Sequence, residues 1–253
     1  MTELRRAVHA GDPVVGTWVT IGHPAVAEIS GELGFDFVVI DAEHSSMSIS
    51  TVENLVRAVD AANGETKSIV RLPDDDPTRI KRALDTGVSG VIAPMIETAE
   101  QARSVVEATR YPPDGVRGVA GSRASAYGLE LDDYFERAND ELLVMVQIES
   151  AKGVGHVGSI AAVDGVDALF VGPTDLSASL GQFGETDSLD TEISAVLDAV
   201  GESDTAVGTI ALDPEDVERW AETGFDFQVV GIDMDYLIHG AERAKQRYED
   251  VLR

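Results

Sequence analysis

The amino-acid sequence predicts an α/β protein, a single TIM (β/α)8 barrel that spans residues 1–253 and carries an extra C-terminal helix. Eight short apolar runs alternate with helical patterns along the chain, which is the order that a barrel of parallel strands requires. One such domain typically has about 250 residues, and no linker or low-complexity segment divides this chain. A doubly wound open sheet is the alternative, but no glycine-rich phosphate-binding turn follows the first strand.

Each predicted strand is a short, uniformly apolar run, which is typical of parallel strands buried on both faces. In chain order the strands are residues 14–21, 35–40, 67–72, 90–96, 142–148, 168–171, 206–212 and 225–231. A glycine, an apolar residue and an aspartate precede three of them, at Gly34-Phe35-Asp36, Gly165-Val166-Asp167 and Gly224-Phe225-Asp226. The glycine ends a helix, and the apolar residue begins the return into the barrel.

Helices are predicted between the strands from apolar periodicity and from terminal signals. In chain order they are residues 23–34, 50–63, 76–86, 98–110, 131–139, 153–163, 188–201, 213–224 and 236–252. Pro77 and Pro214 each follow an aspartate at the first helical position, where proline is favoured. Residues 111–128 hold too much glycine and proline for a regular element, and a loop of this length in a compact domain is usually functional.

The charge of the chain is extreme, because 46 acidic residues against 19 basic ones give a net charge of −27. We therefore expect no binding to nucleic acid or to an anionic membrane. The absence of cysteine excludes disulfides, thiolate zinc sites and a cysteine nucleophile. With no apolar signal core or membrane span in the sequence, a cytoplasmic location is expected. The acidic residues are spread along a chain that can still form a large hydrophobic core. This pattern favours a protein from the salt-rich cytosol of a halophile, and an ordinary acidic mesophilic protein is the alternative.

Polar side chains stand at or just after the ends of the predicted strands. They are Asp41, Glu43, His44, Arg71, Gln147, Glu149, Asp175 and Asp233. In a barrel these positions converge on the face formed by the carboxyl ends of the strands, where the active sites of such barrels lie. The convergence is stronger evidence for a site than any one residue.

Glu149 and Asp175 follow two strands joined by a predicted crossover helix, so their side chains are expected to face each other at this edge. Two carboxylates without nitrogen or sulfur partners are a candidate site for one hard divalent cation, Mg²⁺, Mn²⁺ or Co²⁺. The alternative is that one or both cap the helix that follows.

Asp41 and His44 are three residues apart across a strand-to-loop junction. A carboxylate that binds one imidazole nitrogen leaves the other nitrogen as a base; alternatively, Asp41 caps a helix and His44 is a loop residue. Arg71 ends an apolar strand, where an arginine is costly unless it meets an anionic ligand or a carboxylate, and a structural salt bridge would also satisfy it.

Gln147 alternates with Glu149 along one strand, so both side chains point the same way, although a hydrogen-bonded interior amide is the alternative. Trp18 near the end of the first strand is either a pocket residue or a packed aromatic. Arg117 and Arg123 in the long loop either face a ligand or bind loop carbonyls.

Taken together, these residues predict enolate chemistry. A divalent cation that keeps open positions can polarise the carbonyl of a 2-oxo acid. Arg71 adds positive charge where an enolate oxygen develops, and Asp41 with His44 supplies or removes a proton. This equipment is typical of aldol cleavage and condensation.

The chain resembles the HpcH/HpaI aldolase family of metal-dependent (class II) pyruvate aldolases from about Gly16 to Asp233. The motifs that carry the resemblance are Gly16-Thr17-Trp18, Ile40-Asp41-Ala42-Glu43-His44, Val70-Arg71, Ala93-Pro94-Met95-Ile96, Tyr111-Pro112-Pro113, Gly115-Val116-Arg117-Gly118-Val119, Gln147-Ile148-Glu149 and Val171-Gly172-Pro173-Thr174-Asp175-Leu176-Ser177. The resemblance implies a TIM barrel that cleaves a 4-hydroxy-2-oxo acid reversibly to pyruvate and an aldehyde. It also implies a homo-oligomer, a trimer or a hexamer in which terminal helices exchange between paired subunits.

By resemblance, Glu149 and Asp175 are the metal ligands, and Arg71 stabilises the enolate. His44 paired with Asp41 forms the acid/base machinery. The pyruvate moiety is held by Gln147 and by the backbone of Gly172, Pro173 and Thr174, while Trp18 is expected to line the substrate pocket.

The sequence departs from the family pattern in the loop after His44 and at Thr174, where alanine is common, and both differences bear on the aldehyde side. The nearest alternative is a citrate-lyase-like enzyme of the same superfamily that acts on a CoA thioester. A barrel that binds a metabolite without catalysis is a second alternative. Binding alone would need neither a base nor an enolate-stabilising arginine.

Overall fold

A computed structural model describes residues 1–62, 64–183, 186–201, 203 and 205–252. Eight parallel strands pair in chain order, and the last closes on the first, so the predicted TIM barrel is confirmed. The strands are β1 Val14–Val19, β2 Phe37–Asp41, β3 Lys67–Arg71, β4 Gly90–Ala93, β5 Leu143–Ile148, β6 Ala168–Val171, β7 Ala206–Ala211 and β8 Phe227–Ile232. Each observed strand overlaps its predicted run.

Twelve α-helices of the described chain surround the barrel. They are α1 Glu3–Ala10, α2 Pro24–Glu32, α3 Ile49–Ala61, α4 Pro77–Leu84, α5 Ala99–Thr109, α6 Leu131–Glu141, α7 Ala151–Gly155, α8 Val157–Ala161, α9 Pro173–Ser179, α10 Thr186–Val200, α11 Pro214–Thr223 and α12 Asp233–Leu252. The extra C-terminal helix is therefore present as α12. Within the described residues, no helix has the length and apolar content that a membrane crossing requires.

The apolar runs bury two separate cores. One fills the barrel interior and includes Trp18, Phe37, Phe170 and Phe227, whereas the other lies between the strands and the helices. Successive side chains of a strand point to opposite faces, so both sets are apolar and the strand runs show no alternation. Gly16 is required because a Cβ there would overlap the Phe37 ring, which packs edge-on against Phe227 with centroids 6.1 Å apart.

Helix α1 closes the amino-terminal end of the barrel, although no helix is predicted there. Leu4 and Val8 of α1 join the interior core. Arg5 donates from Nε to Asp167 Oδ1 at 2.9 Å, and His9 Nε2 lies 2.8 Å from the same oxygen. The other Asp167 oxygen accepts from the backbone N–H of Val144 at 2.8 Å. The aspartate of one predicted strand-entry motif thus anchors α1 to the barrel.

Several predicted boundaries differ from the structure. The crossover helix predicted at 153–163 is two short helices, α7 and α8, that meet at His156. The predicted loop 111–128 is irregular except for a 3₁₀ segment at Arg123–Gly128. Helix α9 was not predicted, and α12 begins at Asp233 rather than at residue 236. The predicted helix end at Asn63 lies outside the described residues.

Candidate active site

A cavity of about 230 Å³ opens at the carboxyl ends of the strands. Side chains from the ends of seven strands and from the segments after them line it: Trp18, Thr20, Asp41, His44, Arg71, Gln147, Phe170, Gly172, Pro173, Thr174, Asp175, Ile210, Leu212, Ile232 and Met234. The structure therefore brings together every predicted catalytic and substrate-binding residue, with Asp175 of the predicted metal pair. Larger hollows at the barrel bottom and between α11 and α12 do not contain these carboxylates.

Arg71 is held rigidly beside Asp41, because the two residues are register partners at the ends of β3 and β2. The guanidinium donates from Nε to Asp41 Oδ1 at 3.1 Å and from Nη2 to Asp41 Oδ2 at 2.6 Å. It also lies over the Trp18 ring, with Cζ 4.7 Å from the centroid. Its Nη1 is 3.2 Å from Glu43 Oε2. A buried, bidentate and stacked arginine of this kind presents its charge in one fixed orientation.

Asp41 accepts hydrogen bonds from several neighbouring groups of the site. Its Oδ1 accepts from the backbone N–H groups of Glu43 and His44, at 2.9 and 3.1 Å, and its Oδ2 accepts from Trp18 Nε1 at 3.2 Å. Burial alone would raise the pKa of Asp41, but the hydrogen bonds and charge of Arg71, with the two backbone N–H groups, lower that pKa below its ordinary value. Asp41 is therefore a carboxylate at neutral pH.

The structure joins His44 to Asp41 through the backbone of His44 rather than through its ring. Both Asp41 oxygens already accept from other donors, so neither is free for the imidazole. The imidazole is 66% exposed, and its Nε2 is 3.9 Å from Glu43 Oε1. His44 therefore stands at the mouth of the cavity, with Glu43 as its nearest carboxylate.

Glu149 lies beneath the cavity floor and is 4% exposed. Its Oε1 accepts from the backbone N–H of Met95 at 2.7 Å. Burial raises the pKa of Glu149 to about 7, and the charges of Glu43 and Asp175 act in the same direction. The hydrogen bond from Met95 lowers this pKa only in part. Asp175, on the first turn of α9, is exposed.

The two carboxylates fit a hard divalent cation. Their donor atoms are all oxygens. Burial, and after it the charges of Glu43 and Asp175, raises the pKa of Glu149, and a bound cation would offset both effects by neutralising the carboxylate. Gly172 keeps the approach open, because a Cβ there would be 2.8 Å from Gln147 Nε2 and 3.1 Å from Glu149 Oε2. The described residues contain no cluster of three or more potential ligands, so water or substrate oxygens would complete the shell.

Among the described residues, one buried oxygen near this floor, Gln147 Oε1, has no hydrogen-bond partner, whereas Glu43 Oε2 is paired with Arg71 at 3.2 Å. Buried polar atoms of this kind call for a ligand or water. Gln147 lies in β5 and lines the cavity, so a rigid strand presents its amide to the cavity.

Met95 and Glu43 take part in the site although no role was predicted for either. Met95 adopts the left-handed conformation, with φ 53°, which is uncommon for a residue with a side chain. That conformation places its N–H at Glu149. The sequence carries no signal for it beyond a position just past a strand end.

Arg117 and Arg123 lie away from the cavity. Arg123 donates to the carbonyl of Thr86 at 2.7 Å. The Arg117 side chain is fully buried and donates to the Tyr134 hydroxyl from both terminal nitrogens at 3.2 Å. Neither arginine lines the cavity, and the predicted alternative of loop carbonyls is also wrong in detail, because Arg117 binds a side-chain hydroxyl and Arg123 binds a carbonyl just after the end of α4.

A model of the HpcH/HpaI aldolase/citrate lyase family matches residues 15–240 of this chain. The chain belongs to that family. The hydroxypyruvate/pyruvate aldolase of Delftia acidovorans is 39% identical over 97% of this chain and 91% of its own length. The 4-hydroxy-2-oxo-heptane-1,7-dioate aldolase of Escherichia coli is 35% identical over 97% of this chain and 94% of its own.

The fold of the family agrees with the barrel. A crystal structure of an HpcH/HpaI aldolase/citrate lyase family protein from Burkholderia cenocepacia J2315 superposes with a TM-score of 0.95 at 37% identity, covering 98% of this chain and all of that one. The predicted resemblance to the HpcH/HpaI family is thus confirmed, and the family with the names of these relatives supports a lyase enzyme.

Proposed function

We propose that this HpcH/HpaI family member is a class II, divalent-metal-dependent aldolase that reversibly cleaves a 4-hydroxy-2-oxo acid to pyruvate and an aldehyde. The observation that carries the proposal is that the clamped Arg71 and the carboxylate of Asp175 line one cavity, with the buried carboxylate of Glu149 directly behind Gly172 of its wall. The names of the relatives, which are pyruvate and 4-hydroxy-2-oxo acid aldolases, support the same reaction.

Glu149 and Asp175 would hold one Mg²⁺, Mn²⁺ or Co²⁺, with other oxygens completing the shell. When bound, the ion supplies Lewis-acid polarisation of the 2-oxo group. Gln147 and the backbone of Gly172, Pro173 and Thr174 hold the pyruvate moiety, and Trp18 forms the pocket wall beside Arg71.

Arg71 stabilises the negative charge that develops on the oxygen of the pyruvate enolate. Its fixed orientation means that no reorganisation is needed when that charge appears. Asp41 acts mainly by holding Arg71, since its oxygens accept from the guanidinium at 3.1 and 2.6 Å.

His44 is the proton carrier at the cavity mouth. In cleavage, the C4 hydroxyl gives its proton to the base and the C3–C4 bond breaks. The electron pair of that bond forms the enolate, which takes a proton at C3 to become pyruvate. An exposed imidazole can exchange that proton with solvent between turnovers.

An aldolase assay with pyruvate and several aldehydes, in EDTA and after readdition of Mg²⁺, Mn²⁺ or Co²⁺, tests the proposal. We expect metal-dependent aldol addition that Glu149→Gln abolishes while the fold is retained. Turnover that persists in EDTA would contradict the metal-dependent mechanism. Activity only with a CoA thioester would favour the citrate-lyase-like alternative, and no turnover with any substrate would favour a binding protein.

We also propose that the chain forms a homo-oligomer, a trimer or a hexamer, through α12. Along this 20-residue helix, large apolar side chains are exposed, among them Leu237 at 65%, Tyr248 at 68% and Val251 at 71%. Apolar area of this extent on one helix is typical of an interface between subunits. Light scattering after gel filtration measures the assembly. The cytoplasmic location and the salt-rich cytosol stay predictions from composition.

A further inference from the structure

The ends of β7 and β8 form an apolar arc of the cavity wall. This apolar arc consists of Ile210 and Leu212 at the end of β7, and of Ile232 and Met234 at the end of β8. Leu212 is 39% exposed and Met234 is 46% exposed, so these two side chains form its solvent-facing part. A substrate that extends from Glu149 and Asp175 past the apolar arc toward solvent therefore contacts hydrocarbon side chains.

The described lysine and arginine side chains of the cavity wall leave no free cation for a second anionic group, and His44 is engaged as the proton carrier of the proposed reaction. Among the described residues that line the cavity, Arg71 is the only lysine or arginine. Its guanidinium is already bound by Asp41, with Glu43 at 3.2 Å. A divalent ion at the floor would be balanced by Glu149 and Asp175, and by the carboxylate of pyruvate itself.

The residues that flank the apolar arc add negative charge. Asp213 follows Leu212, and Asp233 and Asp235 stand on either side of Met234. Asp233 is held in place by backbone N–H groups of Thr20 and Ile21 at 3.0 and 2.8 Å. An anionic group at the arc would therefore lose hydration against hydrocarbon and lie near like charges, and both effects are unfavourable.

We infer that the aldehyde half of the substrate is uncharged, and that Leu212 and Met234 select against aldehydes that carry their own carboxylate. The inference rests on the proposed aldolase function and adds the chemical class of the aldehyde to it. An apolar wall discriminates weakly by chain length, so charge rather than size is the property that this wall selects.

The experiment compares two aldehydes of the same chain length, 4-oxobutanoate and its methyl ester, in pyruvate addition at pH 7.5 with Mg²⁺ or Mn²⁺. We expect kcat/KM for the neutral ester to exceed that for the acid at least tenfold, because the apolar arc offers no partner for the carboxylate and removes part of its hydration. In Leu212→Arg and in Met234→Arg, the ratio of ester to acid should fall at least tenfold. Two separate positions are used so that a folding defect in one variant leaves the other informative.

Val116→Arg is the matched control. Val116 is 67% exposed in the segment after α5, at the amino-terminal end of the barrel, and the substitution changes the net charge equally. It should leave the ratio at the wild-type value. A ratio that changes as much in this control would assign the effect to net charge and overturn the role of the apolar arc.

Deuterium exchange into the methyl group of pyruvate separates failure of this inference from failure of the proposed function. If the wild-type enzyme exchanges deuterium but uses the acid as well as the ester, the inference is wrong and the aldolase proposal stands. If it shows neither exchange nor addition, the aldolase proposal fails and the inference fails with it. An unchanged ratio in both arginine variants would also overturn the inference.

Discussion

Gly172→Ala should impair catalysis while leaving the barrel intact. The backbone of Gly172 has φ −97°, which any residue can adopt, so the substitution introduces no backbone strain. The new Cβ would lie 2.8 Å from Gln147 Nε2 and 3.1 Å from Glu149 Oε2. To reach an ordinary contact of about 3.4 Å, these atoms must retreat by about 0.6 and 0.3 Å. Displacements approaching 1 Å within a site cost up to about 10²-fold in rate, so we expect a 10- to 100-fold loss of kcat/KM.

The assay is aldol cleavage at saturating metal, with thermal unfolding measured on the same samples. Gly155→Ala is the matched control, because a Cβ at that glycine would meet nothing within 4 Å. It should keep wild-type activity. Full activity in Gly172→Ala would refute the view that Gly172 holds open the space before Gln147 and Glu149. A large loss of thermal stability would instead indicate a structural role.

Three further predictions concern stability. Burial and neighbouring carboxylates raise the pKa of Glu149 from 4.5 to about 7. The free energy of unfolding of the metal-free protein should therefore fall by about 3 kcal/mol as the pH rises through that range. In urea titrations with EDTA, Glu149→Gln should flatten this dependence on pH, and an unchanged dependence would contradict the raised pKa. Asp167→Asn should lower the free energy of unfolding by about 3 kcal/mol, because it breaks the buried contacts to Arg5 and His9. The fully exposed Asp164 is the control, and Asp164→Asn should leave the free energy of unfolding at the wild-type value. If the net charge of −27 is a halophilic adaptation, the melting temperature should rise steadily between about 0.1 and 2 M KCl. The reason is that the Debye screening length falls from roughly 10 Å to below 3 Å over that range. A melting temperature independent of salt would favour the mesophilic alternative.

The barrel and the composition of the site could be predicted because both follow from strand ends. Uniform apolar runs place each strand within the sheet, and the residue after the last buried position lies at the same edge of the barrel in every unit. Asp41, Arg71, Gln147 and Asp175 therefore reach one cavity, as expected from their sequence positions alone.

The contacts within the site could not be predicted, because they depend on competition among donors. The expected pairing of Asp41 with the His44 ring depends on free carboxylate oxygens, but Arg71, Trp18 and two backbone N–H groups already bind them. Helix α1 was missed for a related reason. It is short and polar, and it is stabilised by tertiary contacts to Asp167 and to the interior core rather than by a periodic pattern.

The most direct test of the account is exchange of the methyl protons of pyruvate for deuterium in the absence of any aldehyde. This reaction reports enolate formation alone, so it isolates the step assigned to Arg71, Glu149 and Asp175. We expect exchange that requires a divalent cation and is restored after chelation by Mg²⁺, Mn²⁺ or Co²⁺. It should be severely reduced in Arg71→Lys, which keeps the charge but loses the planar fork that Asp41 clamps. Exchange at the wild-type rate in EDTA, or in Arg71→Lys, would contradict the proposed enolate mechanism.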